Sequence, residues 1–226
     1  MQSRQIIDLT HTLSPHIPSW DGDCCFRLET QVDYKDCLAP NLFRVQGIEC
    51  KASAGTHMDS PAHCCPGGHT IDTLDLENLL TDCVVIRVDE DADENYVAMP
   101  GIVTSFEKKH GTIPPNAFVI FHTGWDRYWT TPEKYRNDLK FPSIHENTAA
   151  LLIERMIAGI GIDTLSPDAR GEDFPVHRVI LGAGKYIVEN IANAKSLPPT
   201  GAKISVMPMK MQGATESPVR LIAIVP

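Results

Sequence analysis

Two short apolar runs constrain the fold of this 226-residue chain most strongly. Residues 84–88 read Val-Val-Ile-Arg-Val, and residues 117–121 read Ala-Phe-Val-Ile-Phe. A strand with one solvated face alternates apolar and polar residues, whereas both of these runs are almost continuously apolar. The runs therefore predict strands that are covered on both faces, as in the central sheet of an α/β protein.

Helical and strand patterns alternate through the second half of the chain. Ser143 followed by Glu146 has the form of a capping box, and an apolar stripe then leads to Gly159, which we expect to end this helix. A shorter helix is expected over residues 175–182, whereas the first 83 residues show mainly strand and loop patterns. The chain is thus predicted to be α/β with a mixed sheet. The further strands are expected at 160–163, at 186–189, around Val206 and at 221–225.

Composition narrows the class of protein. No repeat is visible and the 17 prolines are scattered, so we expect one domain over residues 1–226. With 20 basic and 29 acidic residues the net charge is −9, which argues against nucleic-acid binding and against a basic membrane anchor. No apolar run is long enough to span a bilayer, and residues 1–5 lead into the chain without a secretory signal, so a cytoplasmic location is expected.

All seven cysteines lie within the first 83 residues. Their odd number and the lack of a Cys-x-x-Cys pair argue against a disulfide framework and against a zinc knuckle. We expect most of them to be small buried hydrophobic side chains. Cys64 and Cys65 directly follow His63, so a soft metal ligand is the alternative there, with burial favoured.

The segment at residues 53–63, Ser-Ala-Gly-Thr-His-Met-Asp-Ser-Pro-Ala-His, concentrates candidate metal ligands. His57 and Asp59 are two residues apart, so in extended backbone they project to the same face. His63 follows after the bend expected at Pro61. Imidazole and carboxylate together form a donor set that both Zn²⁺ and Mn²⁺ accept. An ordinary surface pair of His57 and Asp59 is the alternative that spacing alone leaves open.

A second candidate segment lies far away in the sequence. Glu189 closes the apolar run 186–189, where a carboxylate is costly unless it is paired or bound to a metal. His177 lies in the helix expected over 175–182. The alternative is that Glu189 ends its strand in solvent and that His177 caps a helix. Residues 182–185, Gly-Ala-Gly-Lys, lack the spacing of a phosphate-binding loop.

The run Gly-Thr-His-x-Asp-x-Pro-x-His at 55–63 resembles the signature of the cyclase family of metal-dependent hydrolases, which includes bacterial kynurenine formamidase. The resemblance implies a swivelling β/β/α domain with a mixed sheet, assembled as a homodimer or larger homo-oligomer. It also implies one or two divalent ions, Zn or Mn, in the active site. Further blocks that resemble the family occur in the family's order at 7–10, 18–22, 67–72, 122–125 and 161–166.

The resemblance implies roles for the candidate ligands. His57 resembles a ligand of the first metal, and His177 resembles a ligand of the second. Asp59 and Glu189 resemble carboxylates that bridge two metals. Ser53 departs from the pattern, because the family has histidine at this position, two residues before the motif's glycine. Since a hydroxyl is a poor Zn²⁺ ligand beside imidazole, we expect the first site to be weakened.

The resemblance also implies an activity. His63 resembles the general acid/base, and Trp20 resembles an aromatic wall of the substrate pocket. We expect hydrolysis of a small amide or formamide by a metal-activated water. The favoured reaction is conversion of N-formylkynurenine to kynurenine and formate, in tryptophan catabolism. Hydrolysis of a cyclic amide such as isatin, or of a lactone, is the alternative. A non-catalytic relative with an impaired metal site is a further alternative, because of Ser53.

Overall fold

A computed structural model of the chain describes residues 4–168, 171 and 173–226. The start of the chain over residues 1–3, used above to argue against a secretory signal, lies outside the described residues. The described residues form twelve strands and four α-helices. The strands are β1 (Gln5–Asp8), β2 (Phe26–Val32), β3 (Val45–Cys50), β4 (His57–Asp59), β5 (Leu80–Arg87), β6 (Val97–Ala98), β7 (Phe118–His122), β8 (Ser143–Ile144), β9 (Gly159–Ile162), β10 (Tyr186–Glu189), β11 (Ala202–Pro208) and β12 (Glu216–Val225). The helices are α1 (Pro100–His110), α2 (Pro132–Arg136), α3 (Glu146–Glu154) and α4 (Pro175–Gly182).

The main sheet is mixed and closes on itself. Its strand order is β1-β12-β11-β5-β7-β9-β10-β4, and β4 pairs again with β12. The pairings among β5, β7, β9 and β10 are parallel, and the others are antiparallel. The long strand β12 pairs with β4 through residues 216–218 and with β1 through residues 222–225. The predicted α/β fold with a mixed sheet is confirmed.

The two continuous apolar runs lie at the centre of this sheet and supply two cores. Val85 and Ile120 pack with the cluster enclosed by the closed sheet. Their neighbours Val84 and Val119 point the other way and pack against residues of α1, α3 and α4. Both faces of β5 and β7 are therefore covered, as their lack of alternation predicted.

The helix predicted to start at Ser143 starts later. Ser143 and Ile144 form β8, which pairs in parallel with β6. His145 is the N-cap of α3, and its Nδ1 accepts a hydrogen bond from the backbone N–H of Asn147 at 3.1 Å. The predicted capping box was wrong because pairing with β6 holds residue 143 in extended backbone.

The predicted end of this helix at Gly159 was also wrong. The helix ends at Glu154, and Met156 takes the left-handed conformation with φ 56°. Gly159 instead begins β9, where a Cβ atom would lie 2.6 Å from the backbone oxygen of Tyr186. Glycine at this position therefore serves close packing of β9 on β10 rather than a helix stop. In contrast, α4 and β10 have the predicted bounds.

Most cysteines are not buried, contrary to expectation. Cys25 and Cys83 are buried, whereas Cys24 and Cys64 are exposed and the other three are half-buried. All seven are free thiols. Cys64 follows the 3₁₀ turn Pro61–His63, which brings it to the edge of a cavity rather than into the core.

Among the described residues, no helix is both long and apolar enough to cross a membrane.

Candidate metal centre

A cavity of about 320 Å³ collects all the site residues that the sequence singled out. Its walls come from segments that are distant in the sequence. They include the loop before β2, the motif around β4, the segment from β9 to α4, and the start of β12. The predicted residues on its wall are Trp20, Ser53, His57, Asp59, His63, His177 and Glu189.

Strand β4 carries two of the candidate ligands and lies between β10 and β12. Glu189 of β10 is directly opposite His57, and Glu216 of β12 is directly opposite Asp59. Directly opposed residues in an antiparallel pair project to the same face. The sheet pairing therefore brings carboxylates to the His57–Asp59 pair from both neighbouring strands.

Two imidazoles and two carboxylates converge in this part of the cavity. His57 Nε2 lies 3.6 Å from Asp59 Oδ1 and 3.3 Å from Glu189 Oε2. His177 Nε2 lies 3.6 Å from Asp59 Oδ2 and 3.3 Å from Glu189 Oε1. Each carboxylate therefore offers one oxygen to each imidazole, an arrangement suited to carboxylates that bridge two ions.

The burial of these four residues tests whether a metal ion fits. Each is at most 6% exposed. Within the described part of the chain, both Asp59 carboxylate oxygens and Glu189 Oε1 lack a hydrogen-bond partner. Unpaired carboxylate oxygens are costly in the interior, and a divalent cation would satisfy them. The donor set fits Zn²⁺ or Mn²⁺, and the role of the four residues as ligands stays a prediction.

Hydrogen bonds orient both imidazoles toward the carboxylates. His57 Nδ1 is 2.9 Å from the carbonyl oxygen of Gly55. His177 Nδ1 is 2.7 Å from Asp168 Oδ2, and the same carboxylate accepts the backbone N–H groups of Val176 and His177 at the start of α4. Such outer partners fix the ring and leave Nε2 free for a metal.

The electrostatics favour positive charge at this site. Burial opposes the charged form of His57, but the close contact with Glu189 and the charges of Asp59 and Glu189 raise its pKa to about 9. The same balance, with Asp168 as the strongest favourable partner, raises the pKa of His177 well above its usual value. Burial raises the pKa of Asp59, but the neighbouring histidines outweigh it and lower that pKa. Metal binding needs neutral imidazoles, so an ion would displace these protons.

Asn190 links the two ligand-bearing segments. Its Nδ2 donates to the Gly55 carbonyl at 2.9 Å, the same oxygen that His57 Nδ1 contacts. Its Oδ1 accepts a hydrogen bond from the hydroxyl of Tyr135 at 2.9 Å. Asn190 has φ 56°, a left-handed conformation that asparagine tolerates well. Sequence reasoning missed Asn190 and Asp168.

His63 lies beside the buried quartet and is more accessible. Its side chain is 32% exposed, and its Nδ1 lies 3.6 Å from Glu216 Oε2. The His63 and His177 ring centroids are 5.9 Å apart. This position suits a group that exchanges protons with a substrate in the cavity, the role that the resemblance implied.

Aromatic rings form another part of the cavity wall. Trp20 and Phe174 both line the cavity, with ring centroids 5.8 Å apart. Trp20 also contacts Phe141 edge-on at 6.5 Å between centroids. The predicted aromatic wall therefore has a second member, Phe174, that sequence reasoning did not identify.

Ser53 lines the same cavity as His57. A histidine introduced at position 53 therefore tests whether the lack of an imidazole there weakens metal binding. We expect Ser53→His to raise the affinity for Zn²⁺ about tenfold or more, because it adds a nitrogen donor beside the quartet. Titration calorimetry and elemental analysis after dialysis would measure the gain. Ser105→His adds an imidazole at an exposed position of α1 and is the matched control. Two tightly held ions per chain in the wild-type protein would contradict the prediction of a weakened site.

Comparisons with known proteins found similar sequences and similar structures. The model of the family described as "Putative cyclase" matches residues 7–169. An isatin hydrolase from Roseibium aggregatum is 28% identical over 98% of this chain and 92% of its own length. A kynurenine formamidase from Polaromonas naphthalenivorans is 26% identical over 96% of this chain and 90% of its own. The solved structure of isatin hydrolase A from Labrenzia aggregata bound to benzyl benzoate superimposes with a TM-score of 0.88 at 31% identity, covering 98% of this chain and 94% of that one.

Proposed function

This chain belongs to the cyclase family, and on that premise we propose that it is a metal-dependent hydrolase of the amide bond in a small aromatic substrate. The observation that carries the proposal is the buried quartet of His57, Asp59, His177 and Glu189, with unpaired carboxylate oxygens beside an aromatic wall. The relatives named isatin hydrolase and kynurenine formamidase support the reaction class.

The four buried residues would hold the ion. When bound, a divalent ion supplies Lewis-acid polarisation of the substrate carbonyl and lowers the pKa of water toward neutrality. The oxygen of water bonds to the carbonyl carbon, the C–N bond breaks, and the nitrogen takes a proton. His63 would deliver that proton, a contribution of about 10²-fold to 10⁴-fold to the rate. Trp20 and Phe174 would hold the substrate ring and exclude water from it.

A cyclic amide of the isatin type is the first substrate candidate. The isatin hydrolases at 28% and 31% identity favour it over the formamidase at 26%. An N-formyl aryl amine, the substrate class expected from the sequence, is the second candidate and is supported by the formamidase relative.

Assays of purified protein loaded with Zn²⁺ or Mn²⁺ on isatin and on N-formylkynurenine would separate these candidates. Ring opening gives one product, whereas the formamide gives an amine and formate. Metal-loaded protein that turns over neither compound would favour the non-catalytic alternative.

The aromatic wall gives a prediction about substrate binding. Trp20→Ala is expected to raise KM for an aryl substrate about tenfold, because stacking adds roughly 0.5–1.5 kcal/mol beyond burial. The melting temperature is expected to change little, since Trp20 lies at the edge of its cluster and is only partly buried. Steady-state kinetics and a thermal melt test this, with an aliphatic lactone as the control substrate whose KM should not rise. A large drop in melting temperature with unaltered kinetics would assign Trp20 to the core instead.

We also propose that the chain forms a homodimer or larger homo-oligomer, as the family resemblance implies. The ribbon of β2 and β3 supports this, because its cross-strand pair Leu28 and Ile48 is 49% and 68% exposed. An isolated two-stranded ribbon is marginally stable in water, and apolar exposure of this kind is typical of an interface. Light scattering after size-exclusion chromatography would measure the assembly, and a monomer would contradict the proposal.

A further inference from the structure

We propose that Glu216 is a positioning residue for His63, holding the imidazole through Nδ1 so that Nε2 is presented to the substrate. The proposal rests on the proposed function, in which His63 transfers a proton.

The strand pairing places Glu216 for this role. Glu216 begins β12 and lies opposite Asp59 in the register of β12 with β4, so both project to the cavity face. Its side chain is 21% exposed, and its Oε2 lies 3.6 Å from His63 Nδ1. Among the ion pairs of the described residues, His63 takes part in this one, with Glu216 as its partner.

The backbone contacts of His63 do not fix the orientation of its ring. His63 ends the short 3₁₀ turn Pro61–His63, and its backbone N–H donates to the carbonyl of Ser60. These contacts fix the main chain but leave the χ angles of the side chain free. A carboxylate beside Nδ1 favours one ring orientation and the Nδ1–H tautomer.

A ligand role is the competing interpretation of Glu216. Ligand atoms of Asp59, His63 and Glu216 lie within 4.8 Å of one another, close enough for a cation. However, both Asp59 oxygens already face the buried imidazoles of His57 and His177. His63 is also far more exposed than the buried quartet, so water competes there for any ion. The geometry therefore favours a carboxylate–imidazole pair next to the metal centre.

A double-mutant cycle tests the proposal on the metal-loaded protein. Glu216→Gln keeps the shape and removes the charge, and we expect kcat to fall about 10-fold to 100-fold, with KM and metal content unchanged. In the His63→Ala background the same substitution is expected to cause no further loss, because the effect acts through His63. Glu133→Gln, at an exposed position of α2, is the matched control and should leave all readouts unchanged.

Three outcomes would overturn the proposal. Loss of metal in Glu216→Gln would make Glu216 a ligand. Additive losses of kcat in the double variant would show that Glu216 does not act through His63. A lower melting temperature with unchanged kcat would make the role purely structural.

A measurement without turnover separates this proposal from the proposed function. Long-range ¹H–¹⁵N spectra of the histidine rings report the tautomer, and the signal absent from His63→Ala identifies His63. We expect the wild-type ring to carry hydrogen on Nδ1 and Glu216→Gln to shift that signal toward the other tautomer. An unchanged signal would overturn the positioning role, even if the wild-type protein hydrolyses neither test substrate. A shifted signal in an inactive wild-type protein would instead contradict the proposed function alone.

Discussion

Replacing Asp59 with asparagine is expected to remove bound metal and to lower kcat by at least about 10³-fold. Asp59 faces both buried imidazoles, one oxygen to each, so its loss weakens every ion position that the quartet can form. Lewis-acid catalysis contributes several kcal/mol, and each 1.36 kcal/mol is tenfold in rate. Elemental analysis of the purified variant and assays on an aryl amide would measure the two losses together.

Metal-free protein provides a second readout for the same variant. Without an ion, the charge of Asp59 offsets the charges of His57 and His177, which in turn lower the pKa of Asp59. Its loss would leave two buried imidazoles with less compensating charge, so the melting temperature of metal-free Asp59→Asn is expected to lie below that of the metal-free wild type. Asp75→Asn, at an exposed position, is the matched control for metal content and rate. Full metal retention in Asp59→Asn would remove Asp59 from the coordination sphere.

Local patterns were sufficient to predict the elements that carry the ligands. The apolar runs of β5 and β7 predicted strands that are covered on both faces, since they are short and rich in β-branched or aromatic residues. Helix α4 and strand β10 were predicted with the observed bounds, so His177 and Glu189 were assigned to the correct elements. The spacing of His57 and Asp59 placed them on one face of a strand, as the structure has them.

Long-range pairing could not be predicted, and it supplies the missing site residues. Glu216 reaches the cavity because β12 pairs with β4, and local sequence carries no signal for that register. Asp168 is nine residues before its partner His177, too far away in the sequence to form a capping-box pattern. Ser143 failed as a helix start for the same reason, because its extended backbone depends on pairing with β6.

His63→Ala is expected to lower kcat about 10²-fold to 10⁴-fold while metal content stays that of the wild type. His63 contacts Glu216 and is partly exposed, whereas the four candidate ligands are buried and face one another. Loss of an acid/base group removes proton transfer in the transition state but leaves ground-state binding, so KM is expected to change little. Steady-state kinetics and elemental analysis on the same preparation would show whether kcat falls while metal content is retained.

The control for this variant lies six residues further along the chain. His69 is exposed and contacts the hydroxyl of Thr73 outside the cavity, so His69→Ala should keep both rate and metal. Added imidazole is expected to restore part of the rate to His63→Ala, because a diffusible base can enter the space that the ring leaves. A loss of metal in His63→Ala that matches its loss of rate would instead make His63 a ligand. The metal centre would then extend from the quartet toward Glu216, since Asp59, His63 and Glu216 already offer ligand atoms within 4.8 Å of one another.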